Sequence, residues 1–258
     1  MMSLELLIST MHKSTDEVLR MLRQSNVKCD VLVVVQCDTE NYVELDNGGQ
    51  SIRVIFTKER GLSKSRNLCL KYCSSKYAYI MDDDVLLDIN AIEELVKKME
   101  VDDVDLATCK YIRENGKYPK RYLEAEFSHT LLSAAQVSSI EICFKVDVIR
   151  NLGIKFDERF GLGTNLPSGE EYIFLTDCIK KGLNVRYYPI LIGVHPEFTS
   201  GLDFYTKTNK IIAKREMFKR IFGKNYIFFI IAFWLKKFHI AFKAGYGLRF
   251  TQAILFGK

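Results

Sequence analysis

The run Val31-Leu32-Val33-Val34-Val35 is apolar at every position, which suits a strand covered on both faces and not one with a wet side. It belongs to a series in which short β-rich runs alternate with helical patterns. Leu4 to Ser9 precedes Ser14 to Gln24, Ile52 to Thr57 precedes Ser63 to Tyr72, and Tyr77 to Met81 precedes Asn90 to Met99. That order predicts an α/β fold with a mixed, mainly parallel sheet flanked by helices. Ser14-Thr15-Asp16-Glu17 has the spacing of a capping box at a helix start. Further on, Ile140 to Phe144, Val185 to Tyr188 and Ile190 to Val194 read as strands. Gly161 to Gly169 reads as a loop before a helix that starts near Glu170 and ends at Gly182. Ligands of parallel sheets sit beyond the carboxyl ends of the strands. The polar residues there are Ser9 and Thr10, Gln36 and Asp38, Lys58 to Arg60, and Asp82-Asp83-Asp84, so several strands point chemistry toward one crevice.

Three adjacent carboxylates repel one another and resist full ionisation unless a cation is near. Mg²⁺ or Mn²⁺ held by one or two of these oxygens, with a bound diphosphate completing the ligand set, is one solution. The other reading of the tripeptide by itself is an acidic turn that caps the helix beginning near Asn90.

A chain of 258 residues with 48% hydrophobic content buries one sizeable core. Seven cysteines lack metal-ligand pairing, and Cys69 and Cys73 stand one helical turn apart. Core packing, and neither a disulfide framework nor a zinc site, is the expectation. The net charge of +5 is unevenly spread. Residues 204–258 hold twelve Lys and Arg against the single acid Glu216, a net of +11, which leaves −6 for residues 1–203. A main domain over 1–203 and a basic helical tail over 204–258 are therefore expected. Within the tail, Tyr226 to Leu235 is apolar and flanked by lysines. This run is shorter than the ~20 residues of a spanning helix. It suits a helix lying on an anionic membrane surface, or one packed on the main domain. No nucleic-acid recognition motif accompanies the basic charge.

Taken together, Gly61-Leu62-Ser63-Lys64-Ser65-Arg66-Asn67, the strand ending in Asp82-Asp83-Asp84, and Ser168-Gly169-Glu170-Glu171 followed by Gly182 and His195-Pro196 resemble family 2 glycosyltransferases of the GT-A fold, of the bacterial surface and capsular polysaccharide type. The resemblance covers roughly residues 4–200. It implies an inverting hexosyl- or N-acetylhexosaminyl-transferase that takes its sugar from a nucleotide-diphospho-sugar, with UDP favoured by family frequency, and uses Mn²⁺ or Mg²⁺.

By that resemblance Asp82 and Asp84 match the DXD positions and supply the carboxylate ligands of the metal, Asp84 the more direct and Asp82 nearer the ribose, with Asp83 between them on the donor side. Thr10 matches a position beside the nucleotide, and Arg66 contacts the nucleotide from a helix start whose free N–H groups favour anions. The acidic residue that the family uses to read the base is replaced by Gln36, with Asp38 two residues later, so either side chain meets the base or ribose. Glu171 matches the catalytic base, where the family more often has Asp, and Glu170 the acceptor-binding or catalytic neighbour. His195 matches a late metal or phosphate ligand of some GT-A enzymes, or is structural. Phe156 to Phe160 and the following Gly-rich loop shape the acceptor side as a wall or lid.

The expected acceptor is a glycan or lipid-linked hydroxyl. The Met1 to Glu5 start has neither a basic n-region nor a long apolar segment, so the expected location is cytoplasmic, peripheral on the inner membrane. Two alternatives from other classes are a noncatalytic nucleotide- or glycan-binding member of the fold and a sugar nucleotidyltransferase. The latter would carry a Gly-rich loop where this chain has Ser9-Thr10-Met11-His12.

Overall fold

The computed structural model describes residues 3–25, 27–197 and 204–257. The first half contains β1 (Leu4–Met11), α1 (Thr15–Gln24), β2 (Asp30–Gln36), β3 (Asn41–Asp46), β4 (Ser51–Thr57), α2 (Leu62–Tyr72), β5 (Tyr77–Met81), β6 (Leu86–Leu87) and α3 (Ile89–Val101). It continues with β7 (Leu106–Arg113), β8 (Phe127–Ser128), β9 (Ile142–Lys145), α4 (Val146–Asn151), α5 (Glu170–Lys180) and β10 (Val185–His195). The last helices are α6 (Thr208–Phe222), α7 (Tyr226–Lys243) and α8 (Gly247–Thr251). The domain boundary expected at residue 203 falls in 198–203, outside the described residues.

The strands form one sheet in the order β3-β4-β2-β1-β5-β9-β7-β10-β6, with β8 paired to β10. β4, β2, β1 and β5 are parallel neighbours. β9 lies antiparallel between β5 and β7, and β10 is parallel to β7. Two successive reversals restore the original direction, so the carboxyl ends of β2, β1, β5, β7 and β10 share one edge. Val31 to Val35 are fully buried, as a strand between two helical layers must be. The capping box at Ser14 and Glu17 forms as expected. β10 is one long strand with register shifts where the sequence suggests two short ones.

The structure decides between the two readings of the acidic tripeptide as a cap. Asp88, not Asp82 to Asp84, caps α3, accepting hydrogen bonds from the N–H groups of Asn90 and Ala91. Between the acidic turn and that cap, β6 pairs with Val194 and Gly193 of β10. The strands approach so closely that a Cβ on Gly193 would stand 2.2 Å from the Leu86 carbonyl oxygen. Only glycine permits this approach, and it sets His195 beside the acidic turn.

The tail begins inside the main core. Met217 and Ile221 of α6 join the buried cluster that includes Ile173 and Phe174 of α5, and Arg220 grips the Asp177 carboxylate with bonds of 3.1 and 2.7 Å. A smaller cluster around Ile211, Ile230, Ala241, Phe250 and Ile254 holds α6, α7 and α8 together.

Candidate active site

At the shared strand edge lies a cleft of about 430 Å³ whose walls include Asp82, Asp83, Asp84, Glu170, Glu171 and His195. The expected donor-side and catalytic carboxylates therefore converge, although they lie almost ninety residues apart in sequence.

Each carboxylate of the acidic turn has a different neighbour. Asp83 accepts a short hydrogen bond from the Thr10 hydroxyl and pairs with Lys13 at 3.3 Å, which ties the end of β1 to the turn. Asp82 turns inward, 3.4 Å from the Arg66 guanidinium and within 3.3 Å of the Ser139 hydroxyl. Burial raises its pKa above the ordinary 3.8, a rise that Arg66 opposes and that Glu171 and Asp84 add to. Asp84 stands half exposed, its Oδ1 3.9 Å from Nε2 of His195.

The His195 ring makes a 2.8 Å hydrogen bond from Nδ1 to the Pro196 carbonyl. A carbonyl only accepts, so Nδ1 carries a proton and Nε2 is the ring nitrogen left to offer a lone pair. Asp84 and His195 thus offer an oxygen and a nitrogen donor toward the same space, a set that suits Mn²⁺. Among the described residues no group of three His, Cys, Asp or Glu forms a closed metal cage. Two protein donors fit an ion that takes its remaining ligands from a diphosphate. Asp82, expected as a second carboxylate ligand, has its oxygens directed at Arg66 and Ser139 instead.

Arg66 is 4% exposed. The sequence suggests a nucleotide contact, and the second turn of α2 carries the side chain into the floor of the cleft. There its guanidinium lies 3.4 Å from Asp82, 3.3 Å from Glu170 and 3.6 Å from Glu171. Its place is fixed by packing over the Phe156 ring at 5.6 Å. Asn67 in turn holds Phe156 through paired bonds of 2.8 and 2.9 Å. One cation thereby links the acidic turn to the start of α5, and its Nε still lacks a partner. The Phe156 to Phe160 segment is pinned to α2 in this way, and Leu162 and Pro167 of the loop after it form part of the cleft wall.

The two glutamates at the start of α5 are unequal. Glu170 is buried beneath the surface and one of its oxygens has no partner. Burial, reinforced by the Glu171 charge, pushes its carboxyl above the usual range, and Arg66 only partly offsets this. Glu171 has a side chain that is 22% exposed and opens onto the cleft. The chain enters α5 through Gly169, in the left-handed region at φ +106°, where a Cβ would meet Met217 Sδ at 2.8 Å. The glutamate pair is therefore set directly against α6.

Gln36 and Asp38 stand apart from this group. Gln36 is buried, and its Oε1 accepts the Gly61 N–H at 2.7 Å, satisfying a donor just before α2. Asp38 points to solvent and pairs with Arg60 at 2.5 Å. Neither is a wall of the cleft.

Ser139 and Tyr111, which do line it, were not legible from the motifs. The Ser138-Ser139-Ile140-Glu141 spacing is itself a capping-box signature and was the available signal. The box forms, with Glu141 buried behind the cleft wall and bonded to the Ser138 N–H at 2.6 Å.

The family described as Glycosyl transferase family 2 matches residues 11–165. No curated protein matches the chain in sequence. Among solved structures, S. aureus TarS 1-349 in complex with UDP is similar with a TM-score of 0.58 at 17% identity, over 84% of this chain and 66% of that one. The same protein in complex with UDP-GlcNAc gives 0.59 at 16% identity, over 86% and 67%. The chain spans just under two thirds of the first of these and 44% of a longer S. aureus TarS chain. These likenesses show the GT-A fold. The sequence match covers more than half of the 258 residues, and the chain belongs to the family 2 glycosyltransferases.

Proposed function

We propose that the protein is an inverting glycosyltransferase that moves a hexosyl or N-acetylhexosaminyl group from a UDP-sugar to a hydroxyl of a glycan or lipid-linked acceptor in surface polysaccharide synthesis. The observation that carries this reading is the pairing, across one cleft, of the open carboxylate Glu171 with the Asp84 and His195 donors. UDP is favoured by the TarS complexes with UDP and UDP-GlcNAc.

Glu171 accepts the proton of the acceptor hydroxyl, whose oxygen forms the new bond to the anomeric carbon as the bond to the diphosphate breaks on the opposite face. Arg66 holds Glu171 in place and keeps the cluster of carboxylates from repelling itself apart. Asp84 and His195 would hold a divalent ion, which when bound neutralises charge on the departing diphosphate. Asp82, Asp83 and Thr10 form the donor side. Incubating the full chain with UDP-GlcNAc and Mn²⁺ is expected to release UDP slowly to water, and EDTA is expected to suppress that release by about a hundredfold or more. Release unaffected by EDTA would remove the metal from the account.

The helical tail supports attachment to a membrane surface. Phe228, Ile231, Leu235 and Phe242 recur on one stripe of α7, and Phe228 is 70% exposed. Lys224 precedes α7, and Lys236 and Lys243 lie on the helix to one side of this stripe. The segment Thr208–Lys243 is long and apolar enough to cross a membrane by length and composition, but it is broken at Gly223, where φ is +52°. An amphipathic helix with basic flanks suits the interface. Replacing these four side chains by serine is expected to abolish co-flotation with phosphatidylglycerol vesicles. Undiminished flotation would assign the stripe to another partner.

A further inference from the structure

Two lysines occupy positions where the helical pattern calls for apolar residues. On α6, Lys214 falls three residues after the buried Ile211 and three before the buried Met217, on the stripe that faces the protein. On α7, Lys237 shares the inward stripe of the buried Ile230 and Ala241 and stands opposite the exposed Phe228 stripe. Both are half-buried. Ile211, Ile230 and Ala241 belong to one cluster, so the two lysines enter the same seam between α6 and α7.

The position of that seam follows from how α6 is docked. Met217 sits on Gly169 at the very start of α5, and Arg220 pairs with Asp177 further along α5. Lys214, one turn before Met217, therefore stands beyond the start of α5, on the side of Glu170 and Glu171 and outside the cleft's immediate lining. The electrostatics agree with this placement. Burial, assisted by Lys237, lowers the Lys214 pKa, and Glu171 and Glu170 oppose that fall. Neither lysine makes an ion pair among the described residues. Among the described residues the one hydrogen bond of the Lys214 ammonium goes to Met217 Sδ at 3.9 Å, a weak acceptor. Of the cleft carboxylates, Asp82, Glu170 and Glu171 are already paired with Arg66. Two like charges that share a seam, with oxygen acceptors missing, are stabilised by an anion that bridges them.

We propose that Lys214 and Lys237 form an acceptor subsite beside the cleft and bind a phosphate or diphosphate ester carried by the acceptor, placing its hydroxyl at Glu171. The inference rests on the transferase reading given above and adds to it the chemical class of the acceptor. The exposed apolar stripe lies on the other face of the same helix, so a phosphate borne on a lipid reaches the seam from the surface on which α7 would lie.

The test is calorimetric titration of the full chain, saturated with UDP and Mn²⁺ so that the donor phosphate positions are filled, with inorganic pyrophosphate and with octyl diphosphate. Wild type is expected to bind one equivalent. The Lys214→Met, Lys237→Met double variant is expected to bind about tenfold more weakly or worse, with UDP affinity unchanged and a melting temperature no lower than that of wild type. The Lys214→Arg, Lys237→Arg variant is expected to retain binding, which a packing effect would not reproduce. Tighter binding of the octyl compound supports a lipid-borne phosphate, and equal binding supports a soluble one. Binding that is absent in wild type, or equal in the double methionine variant, overturns the subsite alone. Failure of wild type to bind UDP overturns the transferase reading and the subsite with it.

Discussion

Glu171→Gln is expected to lower turnover of UDP-sugar by about 10²–10⁴ while leaving UDP affinity unchanged. The amide keeps the shape of the side chain and still accepts a hydrogen bond, but it cannot take up the acceptor proton. The prediction is specific to Glu171 because the other glutamate is not equivalent. Glu170 lies buried, with Oε1 turned to Arg66 at 3.3 Å, so Glu170→Gln disturbs the interior of the site without removing the group that opens onto the cleft. Steady-state kinetics of both variants, with UDP binding measured alongside, checks the assignment. Normal turnover by Glu171→Gln with donor still bound would exclude it as the base.

Arg66→Met is expected to reduce the stability of the whole protein by about 3–5 kcal/mol, because removing one partner of a buried ionic cluster leaves the others uncompensated. Asp82 and Glu170 are held down by the Arg66 charge, and both would rise further without it. For a domain of this size the loss corresponds to a fall in melting temperature of about 10 °C, readable by calorimetry. UDP binding should weaken with it, since the acidic turn and the start of α5 lose their common tether. A variant as stable as wild type would show that Arg66 is a dispensable cation, as its surface-loving residue type first suggests. Lysine at this position should not restore the site, because a single ammonium cannot reach three carboxylates in the way a planar guanidinium does.

The parallel part of the sheet was legible because each strand carries its own signal. Continuous apolar runs such as Val31 to Val35 and Tyr77 to Met81 need covering on both faces, and the polar residues after them must share an edge once the strands are parallel. β7 escaped notice, since Thr108 and Lys110 interrupt its apolar pattern and it is held by a neighbour, β9, more than thirty residues away in sequence. The roles of individual side chains were less legible than their positions. Whether Gln36 meets a ligand or the Gly61 N–H depends on where α2 begins relative to β2, a tertiary fact that no local motif encodes. The same holds for Arg66, whose type is usually exposed and whose burial follows from the packing of Phe156. The tail illustrates the opposite limit. Its charge set it apart from the rest of the chain, yet Met217 and Ile221 on one stripe of α6 fasten it to α5, and a single apolar stripe within a basic segment is easily read as surface.

The proposed function depends on Asp84 and His195 holding a metal-bound nucleoside diphosphate in the cleft. The most direct measurement is the melting temperature of the full chain against UDP, GDP, ADP, CDP and TDP, each with and without Mn²⁺, since a ligand that binds the native state raises it by mass action. UDP is expected to stabilise the protein only when Mn²⁺ is present, and not in Asp84→Asn. No response to any of the five nucleotides with Mn²⁺ present, or a response to UDP that survives in Asp84→Asn, would contradict it.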